Sequence, residues 1–254
     1  MVLAAATLWP VLLASPQPAK DRRVLVFSKT AGFRHDSIPD GIALVRRLGA
    51  EGGFSVDATE DAGRFTDAGL APYDALIFLS TTGDLFDAAR KAAFQRYVRA
   101  GGGFVGVHSA TNTEQDWPWY VALVGASFAS HPDIQTAALR VADARHVSTR
   151  HLPAVWTRTD EWYDFLANPR DHVQVLLTLD EASYSGGAMG ADHPIAWCRY
   201  FDGGRSWYTA LGHTRESFAE PLFAEHVRGG IRFAAGYPDR DERRPREIVP
   251  RPAR

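Results

Sequence analysis

The chain has 254 residues, 45% of them hydrophobic and 23% charged, which is enough to bury one sizeable core and argues for a single α/β domain. A net charge of −2 supplies no basic face to neutralise phosphates, so nucleic acid is not an expected partner. The single cysteine, Cys198, excludes an intramolecular disulfide and a cysteine-based zinc cluster.

In chain order, Met1 to Ala14 is almost wholly apolar and is followed by a Pro-containing stretch to Lys20. Residues 1–20 therefore read as a signal peptide and linker, with a periplasmic or secreted product; the alternative is a cytoplasmic chain. The segment is too short for a stable membrane span. Arg23 to Ser28 is a short apolar run ending in a polar turn, as in a buried parallel strand. Ile38, Ile42, Val45 and Leu48 recur at helical spacing, with Pro39 at the start and Gly49, Gly52 and Gly53 at the end. Phe54 to Thr59 is a second strand, Tyr73 to Ser80 a third, Asp84 to Ala100 a helix, and Phe104 to His108 a fourth strand.

This alternation predicts right-handed crossovers and a flavodoxin-like parallel sheet flanked by helices. Ligands on such sheets bind beyond the carboxyl ends of the strands, which brings together the loops Lys29 to Asp36, Ser80 to Asp84 and His108 to Glu114. Lys29, Phe33, Arg34 and Thr81 are candidate substrate contacts on these loops. The second half is irregular and strand-rich, with strands at Gln135 to Val141, Val173 to Leu179, Ile195 to Phe201 and Ser206 to Leu211. A last helix spans Pro221 to Ala235. Asp202-Gly203-Gly204-Arg205 between two strands signals a hairpin. The domain is expected over 21–238. Residues 239–254, with six arginines, four acids and three prolines, read as a solvated tail.

Gly101 to Gly106 contains GxGxxG, but its glycines end a helix and open a strand, the reverse of a dinucleotide fingerprint, so no nucleotide cofactor is expected. Gly106-Val107-His108-Ser109-Ala110 has the shape of a nucleophile elbow that lifts its central side chain above the sheet edge. Histidine there can act as general base, proton shuttle or metal ligand; the plainer alternative is a histidine that only hydrogen-bonds the turn. His35, His108, His131 and His213 end strands or sit in the loops that follow, and form a candidate site for a divalent metal such as zinc. A hydrogen-bonded polar pocket is the alternative. Trp117, Trp162 and Tyr163 lie beside acidic residues, a mixture suited to sugars, although aromatics also fill cores. Asp160 and Glu161 are adjacent carboxylates with acid–base potential. Arg34 and Arg215 each adjoin or lie near a site histidine and could bind hydroxyls or a carboxylate, or be ordinary surface ion pairs.

The stretches Phe27-Ser28-Lys29-Thr30-Ala31-Gly32-Phe33-Arg34-His35-Asp36 and Gly101 to Thr111 resemble the trehalose-utilisation (ThuA-like) family, of the class I glutamine-amidotransferase-like group. Asp116-Trp117-Pro118-Trp119-Tyr120, Phe128-Ala129-Ser130-His131-Pro132, Asp160-Glu161-Trp162-Tyr163-Asp164-Phe165 and Tyr208-Thr209-Ala210-Leu211-Gly212-His213-Thr214 are similar in matching order. The resemblance spans roughly Arg23 to Gly236. It implies an amidotransferase-like fold whose elbow cysteine is replaced by His108, so glutamine amidotransferase activity is not expected. It also implies a carbohydrate substrate, a sugar or oxidised sugar derivative. By order and shape, His213 falls where the larger group carries its triad histidine. The expected catalytic set is then His108 and His213 as acid–base groups or ligands, Glu216 as the carboxylate orienting His213, and Glu161 as a further acid or ligand. A non-catalytic sugar-binding protein on the same fold is the alternative.

Overall fold

A computed structural model describes residues 22–239. The expected signal segment lies outside the described residues, as does the tail beyond Asp239, whose own carboxylate pairs with Arg150. Among the described residues no helix is long and apolar enough to cross a membrane.

The first half alternates strand and helix: β1 (Arg22–Phe27), α1 (Ile38–Gly52), β2 (Phe54–Thr59), a short α2 (Asp67–Leu70), β3 (Ala75–Leu79), α3 (Ala88–Arg99) and β4 (Gly103–Val107). The inner strands read as unbroken apolar runs because they are covered on both faces: every residue of β3 and β4 is buried, whereas edge strand β2 buries only Phe54. The second half comprises α4 (Pro118–Val124), β5 (Phe128–Ser130), β6 (Gln135–Val141), β7 (Val155–Asp160), β8 (Asp164–Phe165), β9 (Gln174–Leu179), β10 (His193–Phe201), β11 (Gly204–Thr209), α5 (Arg215–Ala219) and α6 (Pro221–Ala234). One nine-stranded sheet runs β2-β1-β3-β4-β11-β10-β9-β6-β7, and β5 and β8 form a separate ribbon.

Strands β2, β1, β3, β4 and β11 are parallel, so the ends of β1, β3, β4 and β11 open on one edge, as the crossover argument requires. From β10 onward the pairing is antiparallel. The β10–β11 hairpin turns through Asp202 and Gly203, both at positive φ (47° and 92°), which the residue pair permits. Helix α3 starts at Ala88, four residues later than its apolar pattern suggests. The Leu85 and Phe86 N–H groups donate to buried Glu114 (2.7 and 2.8 Å), and Asp87 caps the helix by accepting from Arg90 N–H (2.9 Å). The glycines at 101–103 end α3 and open β4, with Gly101 at φ 97°. Cys198 is buried in β10.

Candidate metal and acid–base centre

The loops after β1, β3 and β4 are tied together by bridges between Thr30 and Thr82 and between Gly83 and Thr113. At the end of β4 the chain reverses sharply through His108, which has φ 53° and opens a 3-10 turn over His108–Asn112. A side chain at position 106 would put its Cβ 3.2 Å from that of Ala110 and 2.9 Å from the Tyr208 ring, so the elbow is built on Gly106. The strained residue is the functional candidate itself, and its surroundings hold it there: Nδ1–H of His108 donates to the Ala210 carbonyl (2.8 Å). That bond fixes the neutral tautomer and leaves the Nε2 lone pair facing outward from the sheet.

Around His108 Nε2 lie His35 Nε2 at 3.0 Å, His213 Nδ1 at 3.1 Å, the Tyr163 hydroxyl at 3.0 Å and Glu161 Oε2 at 3.4 Å. One lone pair cannot satisfy four such neighbours. Ligand atoms of His35, His108, Glu161 and His213 lie within 4.8 Å of one another. Two donors on a tetrahedral zinc with 2.0–2.1 Å bonds sit about 3.3 Å apart, so this spacing suits a shared divalent ion. His35 Nδ1 is buried without a hydrogen-bond partner, which leaves that ring held mainly by its other nitrogen.

The electrostatics pair one carboxylate with three rings. Burial, together with the nearby His108 and His213, lowers the His35 pKa to about 3 and keeps it neutral. Burial pushes the Glu161 carboxyl up, but its interactions with His108 and His213 outweigh this and hold it well below the usual carboxylate range. Burial likewise opposes charge on His213, and Glu161 at 3.0 Å reverses the balance and raises its pKa. Burial and the Glu161 charge push the Tyr163 phenol far above its ordinary value, so it remains a proton donor.

Glu161 follows β7, the far edge of the sheet by hydrogen-bond order, and Asp160 carries that edge back to the centre. Its buried carboxylate accepts from Gly212 N–H (2.9 Å), His213 N–H (3.1 Å), Glu161 N–H (3.0 Å) and Ser217 Oγ–H (3.1 Å), with Arg158 at 3.3 Å. Asp160 thus positions both His213 and Glu161. The adjacency of the two carboxylates was visible in the sequence; this division of labour was not, because it depends on the sheet curling β7 towards the end of β11.

Several expected site residues are placed elsewhere. His131 does not join the converging group; its side chain is 42% exposed and its Nδ1 lies 3.1 Å from Glu161 Oε1, so Glu161 is the fourth member of that group. Glu216 is exposed in the first turn of α5, and the carboxylate on His213 is that of Glu161. Trp162 is fully buried with its indole N–H on the Gln135 carbonyl (2.9 Å), a packing residue. Trp117 stacks on Trp119 under Lys91, against α3. Thr81 is fully buried and bonds Thr113 (2.8 Å). Arg34 and Arg215 form exposed ion pairs with Glu60 and Asp40. Of the expected substrate contacts, Tyr163 reaches His108, and Phe33, 66% exposed, sets its ring 4.8 Å from that of His35 at the rim. Lys29 is half-buried just after β1.

The trehalose-utilisation (ThuA) family profile matches residues 23–234. A ThuA-like protein from Bacteroides uniformis superposes with a TM-score of 0.72 at 25% identity, over 87% of this chain and 95% of its own. A second, from Parabacteroides merdae, gives 0.70 at 19%, over 85% and 91%. A β-galactosidase from Bacillus circulans shares the fold over 84% of this chain but 30% of its own, at 13% identity and a TM-score of 0.55. No curated protein matches the sequence. With a profile match across nearly all described residues and full-length structural counterparts in ThuA-like proteins, the chain belongs to the trehalose-utilisation family.

Proposed function

We propose that this chain is a carbohydrate-processing enzyme acting on a sugar or oxidised sugar derivative by histidine and carboxylate acid–base chemistry at a divalent metal. The observation that carries the reading is the convergence of His35 Nε2, His108 Nε2, His213 Nδ1 and Glu161 Oε2 at the carboxyl edge of the parallel sheet. The substrate class rests on the family's description, trehalose utilisation.

His35, His108, His213 and Glu161 would hold the ion, three neutral imidazoles and one carboxylate being a donor set that suits zinc or a neighbouring transition metal. A metal there would polarise a substrate oxygen or lower the pKa of a water. The protein's own groups handle the protons. The Tyr163 hydroxyl, 3.0 Å from His108 Nε2 and held protonated by burial, is a proton donor beside the ion, free to turn to a substrate oxygen once His108 holds the metal. Glu161 touches the interior rings through Oε2 and the part-exposed His131 through Oε1, a route by which a proton leaves for solvent. Phe33 offers an apolar face at the rim, on which the C–H face of a sugar ring can stack.

The test is turnover of a panel of sugars and oxidised sugars by metal-loaded protein, followed by chelation and by His108→Ala. Loss of turnover on chelation, with recovery on adding zinc or manganese, supports the reading. Sugar binding without turnover by metal-loaded protein, unaffected by chelation, would replace it with the sugar-binding alternative.

A further inference from the structure

Asp164 on β8, Glu181 in the 3-10 turn after β9, and His193 at the start of β10 each offer one ligand atom, all within 4.8 Å of one another. None of them belongs to the histidine centre. We propose that these three residues form a second divalent-cation site, a structural one that fixes the glycine-containing segment 184–192 and the backbone of Tyr163.

The surroundings of His193 make the case. Its ring is fully buried, and Nε2–H donates to the Tyr163 carbonyl (2.8 Å), which leaves Nδ1 facing the two carboxylates. Nδ1 lies 2.9 Å from Glu181 Oε1, a carboxylate oxygen that already accepts from Met189 N–H (2.7 Å). A ring nitrogen and a carboxylate oxygen at that distance hold either a proton or a cation between them, and the Tyr184 hydroxyl lies 3.3 Å from the same nitrogen. The charge balance favours the cation, because a single proton on His193 would leave one of the two carboxylates uncompensated. Asp164 is 3% exposed, and among the described residues neither Asp164 nor Glu181 has a lysine or arginine in ion-pair range. Buried carboxylates are stable when they are paired or bind a metal.

Each ligand is also braced from behind. The Tyr163 carbonyl orients His193, Met189 N–H orients Glu181, and Ala188 N–H donates to Asp164 Oδ1 (2.9 Å). Bracing of this kind, with the far ring nitrogen on a backbone carbonyl and the carboxylates on N–H donors, is what supports metal-bound side chains. One imidazole and two carboxylates neutralise a divalent ion and suit zinc or manganese. Through Tyr163, whose carbonyl meets His193 and whose hydroxyl meets His108, the second ion would steady the first centre without sharing a ligand with it.

The experiment is equilibrium dialysis of metal-free full chain against Zn²⁺ or Mn²⁺, with bound metal counted per chain. Wild type is expected to bind two ions. Glu181→Gln, which keeps an oxygen for Met189 N–H and therefore the fold, should bind one and lose part of the metal-induced rise in melting temperature. His35→Ala should also bind one, and the double variant none. Because the two variants remove different ions, failure of the histidine centre to bind metal would leave this site standing, as one ion per chain lost only in Glu181→Gln. The proposal is overturned if Glu181→Gln binds as many ions as wild type. It is equally overturned if nitrogen NMR finds both ring nitrogens of His193 protonated at saturating metal, which would make the cluster a buried imidazolium–carboxylate pair.

Discussion

His108 Nε2 and His213 Nδ1 lie 3.1 Å apart although 105 residues separate them, and Glu161 Oε2 is 3.0 Å from the same His213 nitrogen. Both histidines follow parallel strands paired directly to each other, β4 and β11, so the pairing brings their loops to one edge, where Asp160 holds the His213 backbone. If they share an ion, removing either ring should cost more than removing a residue that only supports one. His108→Asn is the informative change, because Asn tolerates the positive φ at the elbow and the fold should survive. We expect zinc affinity to fall at least about 100-fold in His108→Asn and in His213→Ala, beyond the usual loss from deleting a supporting contact. Glu216→Ala, altering an exposed residue, should stay within about 2-fold, near the small effect typical of surface substitutions. Isothermal titration settles the comparison; equal losses for Glu216→Ala and His213→Ala would return Glu216 to the site.

Metal affinity should depend on pH in a direction set by His213. Its pKa is raised above the ordinary histidine value by Glu161, against the effect of burial. A proton on Nδ1 competes with a metal for the same lone pair. Affinity should therefore climb as pH rises through and somewhat above 6.5, by up to tenfold per pH unit for one displaced proton. In Glu161→Gln the His213 proton is held less tightly, so the rise should move to lower pH even as overall affinity drops. A flat affinity profile from pH 6 to 8 would remove His213 from the ligand set.

Asp160→Asn tests the positioning role apart from ligation. The carboxylate accepts from four donors and faces Arg158, and it is fully buried. An amide in its place must turn an NH₂ towards donors on one side and leaves Arg158 with only Glu220 as an ionic partner. The expected cost is about 3 kcal/mol in urea unfolding, with weakened metal binding although no ligand has changed. Loss of stability with metal affinity intact would reduce Asp160 to a structural role.

The parallel half of the fold was readable because its strands are apolar runs and its helices keep a helical period; β2 and β6 match their expected bounds at Phe54–Thr59 and Gln135–Val141. Strand β7 was not expected, for a specific reason. Its inward positions are Trp156, Arg158 and Asp160, so two of the three are charged and the strand hides its alternation. That charge serves the site, since Arg158 and Asp160 are the link between β7 and the end of β11. The histidines were legible one by one because each follows a strand. That Glu161 rather than His131 would face these rings depended on how the antiparallel half brings the end of β7 to that of β11, for which no local residue pattern speaks.

The last expectation concerns acid stability. His226 is fully buried, donates from Nδ1 to the Ser148 carbonyl (2.7 Å), and has its pKa lowered to about 3 by burial. His146, packed on Phe233, is lowered to about 4 for the same leading reason, and His35 to about 3. Above pH 6.5 these rings are neutral in folded and unfolded chains alike and add no pH dependence. Below 6.5 the unfolded chain takes up protons that the folded chain refuses, so stability falls with pH down to the folded values of about 4 and about 3. Each such ring adds a slope approaching about 1.4 kcal/mol per pH unit in that window. His226→Gln lies away from the metal centre and keeps an N–H donor for Ser148. Urea midpoints measured from pH 7 to 4.5 should fall less steeply in this variant than in wild type, even though its stability at pH 7 is lower for lost packing. Parallel curves would mean that His226 takes up its proton without unfolding, and that acid sensitivity resides in the other two rings.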